Sequence, residues 1–190
     1  MRRIVITGGP GAGKTVISRA IADRFADRAI LIPEAATQIY AKWQTRWDLI
    51  TIPERRQVQR EIYQLQREQE DAIAANNPGK SLLLDRGTID GSCYWPDGPE
   101  DYWLDVKSTH PQELARYDAV IWLESGAALG IYDGQDSNTC RFEDAAAAIE
   151  AGELLKRVWG KHPKMFLVKA RPKLDEKTEE VAKIVGELLR

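Results

Sequence analysis

Residues 8–15 read GGPGAGKT, set between an apolar run, RIVIT at 3–7, and a stretch carrying Ile17, Ile21 and Phe25 at four-residue spacing. Gly8, Gly13, Lys14 and Thr15 meet the pattern G-x-x-x-x-G-K-[ST], with Gly9, Pro10, Gly11 and Ala12 filling the interval. Successive backbone N–H groups can curl round a polyphosphate only where residues reach positive φ and no side chain intrudes. Lys14 then supplies a point charge for the β- and γ-phosphates, Thr15 a hydroxyl for Mg²⁺, and the following helix the positive end of its dipole. Strand, loop and helix in that order are the context this motif requires, so the stretch is read as the site of a nucleotide, ATP or GTP, with Mg²⁺.

Working outward, four more short apolar runs follow: AILIP (29–33), SLLLD (81–85), AVIWLE (119–124) and MFLVKA (165–170). Continuously apolar and separated by helical stretches, they predict a parallel five-stranded sheet covered on both faces, an α/β three-layer fold in one domain spanning 1–190. A long helix is expected from Thr51, where TIPE offers a capping box closed by Glu54, to NNPG at 76–79. Its apolar stripe is Val58, Ile62, Leu65 and Ile73, so most of it should face water. Helices are also expected near 144–158 and 175–189, and loops at PDGPED and at GIYDGQDSN (130–138).

Composition narrows the function classes. A net charge of −2 over 190 residues gives no general attraction for nucleic acid or an anionic membrane. Cys93 and Cys140 are too few for a disulfide framework or a zinc site, and His110 and His162 have no ligand spacing. The first apolar run ends after three residues, far short of a leader or a spanning segment, so a cytoplasmic protein is expected.

In an open parallel sheet ligands bind beyond the carboxyl ends of the strands, so the polar residues there are the ones to weigh. Asp85 and Arg86 close SLLLD; the carboxylate suits a Mg²⁺ shell or a hydroxyl proton, the guanidinium an anion, and the alternative is a surface ion pair. Glu34 closes AILIPE on the acceptor side, where it either orients a substrate hydroxyl or caps the helix starting AATQIY. Arg141, in NTCRFED (138–144), is either a lid arginine on the transferred phosphate or a solvated loop cation. Arg171, in ARP (170–172), either lies over a base or occupies a plain surface turn, the latter being the better reading. Trp122 and Trp159 read as core. Trp43 and Trp47 on one helical face, with Trp95 and Trp103 beside a loop, either wall an acceptor pocket or simply pack, and packing is the better reading for each. His162 reads as structural and His110 as a surface or helix-start residue.

Together GGPGAGKT, PEAA (33–36), DRGTID (85–90), the arginine of CRFED and WGKHP (159–163) resemble the small AAA-labelled P-loop proteins related to the nicotinamide riboside kinase domain of the bacterial NAD regulator. The resemblance spans nearly the whole chain. It implies a nucleoside-monophosphate-kinase-like P-loop NTPase fold with strand order 2-3-1-4-5. Lys14 and Thr15 are implied on ATP·Mg²⁺, Asp85 and Arg86 at the metal and the acceptor, and Arg141 in the lid. Larger relatives end the last strand with an asparagine where this chain has Lys169-Ala170-Arg171, which leaves ATP or GTP open. The expectation is a kinase of a small nucleoside- or nucleotide-like acceptor, acting as a monomer or homodimer without nucleic-acid or membrane partners. The alternative is a nucleotide-binding switch or slow NTPase read by a partner.

Overall fold

A computed structural model describes residues 1–131 and 145–190. Five strands form one parallel sheet in the order β2-β3-β1-β4-β5, comprising β1 (Arg3–Gly8), β2 (Ala29–Ile32), β3 (Ser81–Asp85), β4 (Ala119–Leu123) and β5 (Met165–Val168). The expected order holds. Alternate residues of each strand face opposite layers. Ile4, Ile6, Leu83, Ile121 and Leu123 pack under α1 (Lys14–Arg24) and α7 (Leu174–Leu188), through Ile17, Ile21, Val181 and Val185. Val5, Leu82, Leu84 and Val120 face the other way, onto Trp159 at the end of α6 (Ala145–Trp159). Burial on both faces explains why the strands read as unbroken apolar runs.

The remaining helices are α2 (Ala35–Trp43), α3 (Ile52–Asn76), α4 (Pro99–Asp105) and α5 (His110–Leu114). The capping box at Thr51 and Glu54 starts α3 as expected, with both reciprocal hydrogen bonds formed. The expected stripe packs inward, with Ile62, Leu65 and Ile73 half-buried against apolar clusters, but the face that α3 buries is wider. Val58 is buried, but its buried neighbours are Gln59, Tyr63, Gln66 and Glu70, spaced 4-3-4 along one stripe. A polar stripe goes inside because its atoms find partners there. Gln66 donates to Glu70 (3.0 Å) and to the Arg86 carbonyl, and Glu70 also accepts from Arg3, Arg116 and the Tyr117 hydroxyl.

Two further expectations need correction. PDGPED is not all loop, since Gly98 at φ 87° turns the chain and Pro99 opens α4 at a position where a missing N–H costs nothing. Trp43 and Trp47 do not share a helical face, because α2 ends at Trp43 with Gln44 left-handed at φ 51°. Among the described residues no helix is long and apolar enough to cross a membrane. The segment NTCRFED, with Arg141, and most of GIYDGQDSN lie outside the described residues.

Candidate active site

The loop GGPGAGKT leaves the carboxyl end of β1, central in the sheet, and runs into α1. Gly8 has φ 146°, and a Cβ there would stand 2.2 Å from the Leu123 carbonyl oxygen of the neighbouring strand. Gly13, at φ 81°, is the left-handed residue preceding α1. Lys14 is buried, and its ammonium donates to the Gly9 carbonyl at 2.9 Å. The next three carbonyls are also bonded: Pro10 accepts from Ser125 Oγ (2.6 Å), Gly11 from the Gly126 amide (3.2 Å) and Ala12 from Lys177 Nζ (2.8 Å). The Ala12 amide donates back to the Gly9 carbonyl at 3.3 Å, so the loop is held by its carbonyls, and a loop of this kind meets an anion with its amides.

Asp85 ends β3 opposite Ile6 of β1, next to the loop strand as expected. It is buried, and its Oδ1 has no hydrogen-bond partner. Burial and the nearby charge of Glu34 raise its pKa above the usual carboxylate value, against the opposing pull of Lys14, Arg86 and the Thr15 hydroxyl. A buried carboxylate with one unpartnered oxygen, close to the Thr15 hydroxyl, fits a Mg²⁺ ion, which takes one or two protein oxygens and completes its shell from phosphates and water. Among the described residues no group of three or more histidine, cysteine, aspartate or glutamate side chains is placed to hold a metal ion.

Glu34 and Arg86 come together across 52 residues of sequence. Arg86 Nε donates to Glu34 Oε1, and Arg86 Nη1 donates to Asp90 Oδ1 at 3.0 Å. Glu34 occupies the position before α2 but makes no capping bond; its second oxygen accepts from Thr37 Oγ1 at 2.7 Å. Burial alone would raise the Glu34 pKa, yet the charges of Arg86 and Lys14 and the two side-chain hydrogen bonds bring it down to about 2. Arg86 itself sits at φ 74°, a conformation that costs a non-glycine residue about 1–2 kcal/mol and that its neighbours must impose.

Asp90 is the organising residue that sequence reasoning missed. It accepts from Thr7 Oγ1 (2.6 Å), Arg86 Nη1, the Gly87 amide and Trp159 Nε1 (2.9 Å), joining the loop strand, the β3 end and α6. The signal was present, since DRGTID ends in Asp90 and WGKHP begins with Trp159, but neither motif says that the two meet.

Beyond Glu34 and Arg86 lies a cleft of about 910 Å³, its open mouth included, bordered by Pro10 of the loop. Tyr40, Trp47, Tyr63, Tyr94 and Tyr102 give it aromatic walls, and Gln59, Gln66 and Thr88 give it polar ones. Of the four tryptophans weighed for a pocket, Trp47 alone lines it. Trp43 donates to Glu61, Trp95 packs on Tyr102, and Trp103 stacks on His110. His162 is buried against the Tyr117 carbonyl, and His110 opens α5 with its Nε2 at 2.9 Å from the Val158 carbonyl. Arg171 is tied on the surface to Glu180 at 2.9 Å.

This arrangement has relatives. A family model described as an AAA domain matches residues 3–177. The chain belongs to that family of AAA domains. No curated protein matches this AAA domain by sequence. Among solved structures it is similar to deoxyadenosine kinase from M. mycoides with products dCMP and a flexible dCDP bound: TM-score 0.70, 16% identity, 97% of this chain and 99% of that one. The same enzyme with bound dATP gives a TM-score of 0.68 at 16% identity and the same coverage. The NadR protein in complex with NAD and AMP-PNP gives 0.64 at 15% identity, covering 98% of this chain and 49% of that one. At these identities the likeness establishes the fold alone, a three-layer α/β fold whose parallel sheet runs in the order 2-3-1-4-5.

Proposed function

We propose that the AAA domain is a kinase that transfers the γ-phosphoryl group of ATP·Mg²⁺ to a hydroxyl of an uncharged, nucleoside-like acceptor. The carrying observation is the aromatic-walled cleft that opens beside the phosphate loop and has the Glu34–Arg86–Asp90 cluster at its polar end. Its planar rings suit a base, and its polar residues suit the hydroxyls of a sugar.

The roles follow from the chemistry of each group. Thr15 and Asp85 would hold the Mg²⁺, which would supply charge neutralisation for the phosphates, and Lys14 would meet the β/γ-phosphates. Glu34, whose pKa the charges of Arg86 and Lys14 hold at about 2 and which is therefore ionised at neutral pH, accepts the hydrogen bond of the acceptor hydroxyl and orients it. So acidic a carboxylate is a weak base. That suffices, because phosphoryl transfer through a loose transition state depends on positioning more than on proton abstraction. Arg86 fixes Glu34 and adds positive charge near the transferred group. Its charge is already shared by two carboxylates, and no other lysine or arginine among the described residues lines the cleft. A phosphate-bearing acceptor would thus meet net negative charge, which favours nucleosides over nucleotides. A cytoplasmic setting fits this use of ATP and the free Cys93 thiol.

The test is a screen of nucleosides, nucleoside monophosphates and vitamin-like alcohols with γ-labelled ATP. Label on a nucleoside is the expected result. If no acceptor draws label while ATP is still slowly hydrolysed, the protein is a switch or slow NTPase and the kinase reading is abandoned.

A further inference from the structure

Lys177, one turn into α7, is buried to 3% exposure and lies 165 residues from the loop it touches. Its ammonium donates to two carbonyls, Ala12 in the phosphate loop at 2.8 Å and Glu124 beyond β4 at 2.6 Å. Both acceptors are neutral. The two carboxylates that face it are each engaged by another cation: Glu124 by Lys169 at 3.1 Å, and Glu180 by Arg171 at 2.9 Å. Of the loop's own groups only Lys14 titrates, and it is a cation. A buried ammonium with no carboxylate of its own is costly to keep charged, and burial accordingly lowers the Lys177 pKa to about 8. The missing counter-charge has an obvious place, the anion site formed by the loop against which the ammonium is packed.

We propose that Lys177 is a second cation of the nucleotide site, a positioning residue that fixes the outer side of the phosphate loop and whose charge is balanced by the bound polyphosphate. This rests on reading the loop as the nucleotide site. It makes a distinction that a tether alone would not. A neutral amine still donates to both carbonyls, so a purely structural Lys177 would leave affinity insensitive to its protonation. An electrostatic one ties binding to proton uptake, because an anion at the loop favours the charged amine.

The experiment is isothermal titration of the full chain with the Mg²⁺ complex of a non-hydrolysable ATP analogue, and separately with tripolyphosphate. Wild type, K177M and K177R are titrated between pH 7.5 and 9, and the proton exchange of each probe itself, which is common to all three proteins, is measured with K177R and subtracted. Wild type should bind about tenfold more tightly than K177M at pH 7.5, with the gap closing toward pH 9. Near pH 8, buffers of different ionisation enthalpy should report proton uptake by wild type that K177M lacks, and K177R should bind tightly with no pH dependence from this residue. Equal affinity and equal proton uptake in wild type and K177M would overturn the inference while leaving the nucleotide site intact. If K177M fails to fold, absence of proton uptake by wild type near pH 8 overturns it on its own. A wild type that binds neither probe overturns the nucleotide reading as well.

Discussion

Replacing Glu34 by Gln removes one of the two charges that hold Arg86 while keeping size and hydrogen-bonding shape. The carboxylate is 13% exposed, so little solvent screening discounts its interactions. Its pKa falls from an ordinary 4.5 to about 2 in the folded protein, and at about 1.4 kcal/mol per pH unit this corresponds to about 3 kcal/mol. The sign follows from the depression of the folded value. The contribution is fully present above pH 4.5 and is lost as pH falls toward 2. E34Q should therefore lower stability by about 3 kcal/mol at pH 7, a drop of roughly 6–12 °C in the thermal midpoint for a chain of this length. In urea unfolding the difference from wild type should shrink between pH 4.5 and 3, where the unfolded wild-type chain takes up a proton at Glu34 that the folded protein does not. In the transfer assay kcat/KM for the acceptor should fall by about a hundredfold or more, with ATP affinity within about threefold of wild type. A variant as stable as wild type at pH 7, or one whose deficit stays constant down to pH 3, would refute the ion-pair energetics. Undiminished transfer would remove Glu34 from the acceptor site.

Lys14→Ala and Thr15→Ala should each cut turnover by about a hundredfold or more without lowering the thermal midpoint appreciably, read by steady-state kinetics beside calorimetry. Asp85→Asn should do the reverse to the ligand-free protein. Burial raises the Asp85 pKa, so its ionisation above the ordinary 3.8 works against folding, and the amide should raise the midpoint at pH 7 by about 2–4 °C while abolishing the Mg²⁺-dependent part of the ATP-induced shift. Gly8→Ala places a Cβ 2.2 Å from the Leu123 carbonyl oxygen at φ 146°, and circular dichroism melts should show a loss of about 3 kcal/mol or more.

The phosphate loop, the five strands and their three-layer packing were legible in the sequence because each is a local property. A phosphate loop is one contiguous backbone; strands buried on both faces are short unbroken apolar runs and helices a period of 3.6 residues; and Asp85 and Glu34 fall at strand ends by position alone. Spacing assigns a residue to a face but says nothing of what that face meets. The 4-3-4 stripe of Gln59, Tyr63, Gln66 and Glu70 reads as a solvated side, and it is buried because the Tyr117 hydroxyl, Arg3, Arg116 and the Arg86 carbonyl come to it from distant parts of the chain. The same holds for the pairing of Glu34 with Arg86, the meeting of Asp90 with Trp159 across 69 residues, and the approach of Lys177 to Ala12 across 165. These contacts fix the charge balance of the site. Sequence alone supplied the groups that can bind a nucleotide; only tertiary packing decided which of their charges are balanced within the protein and which are left for a ligand, because desolvation and counter-charge depend on neighbours brought together in space and not along the chain.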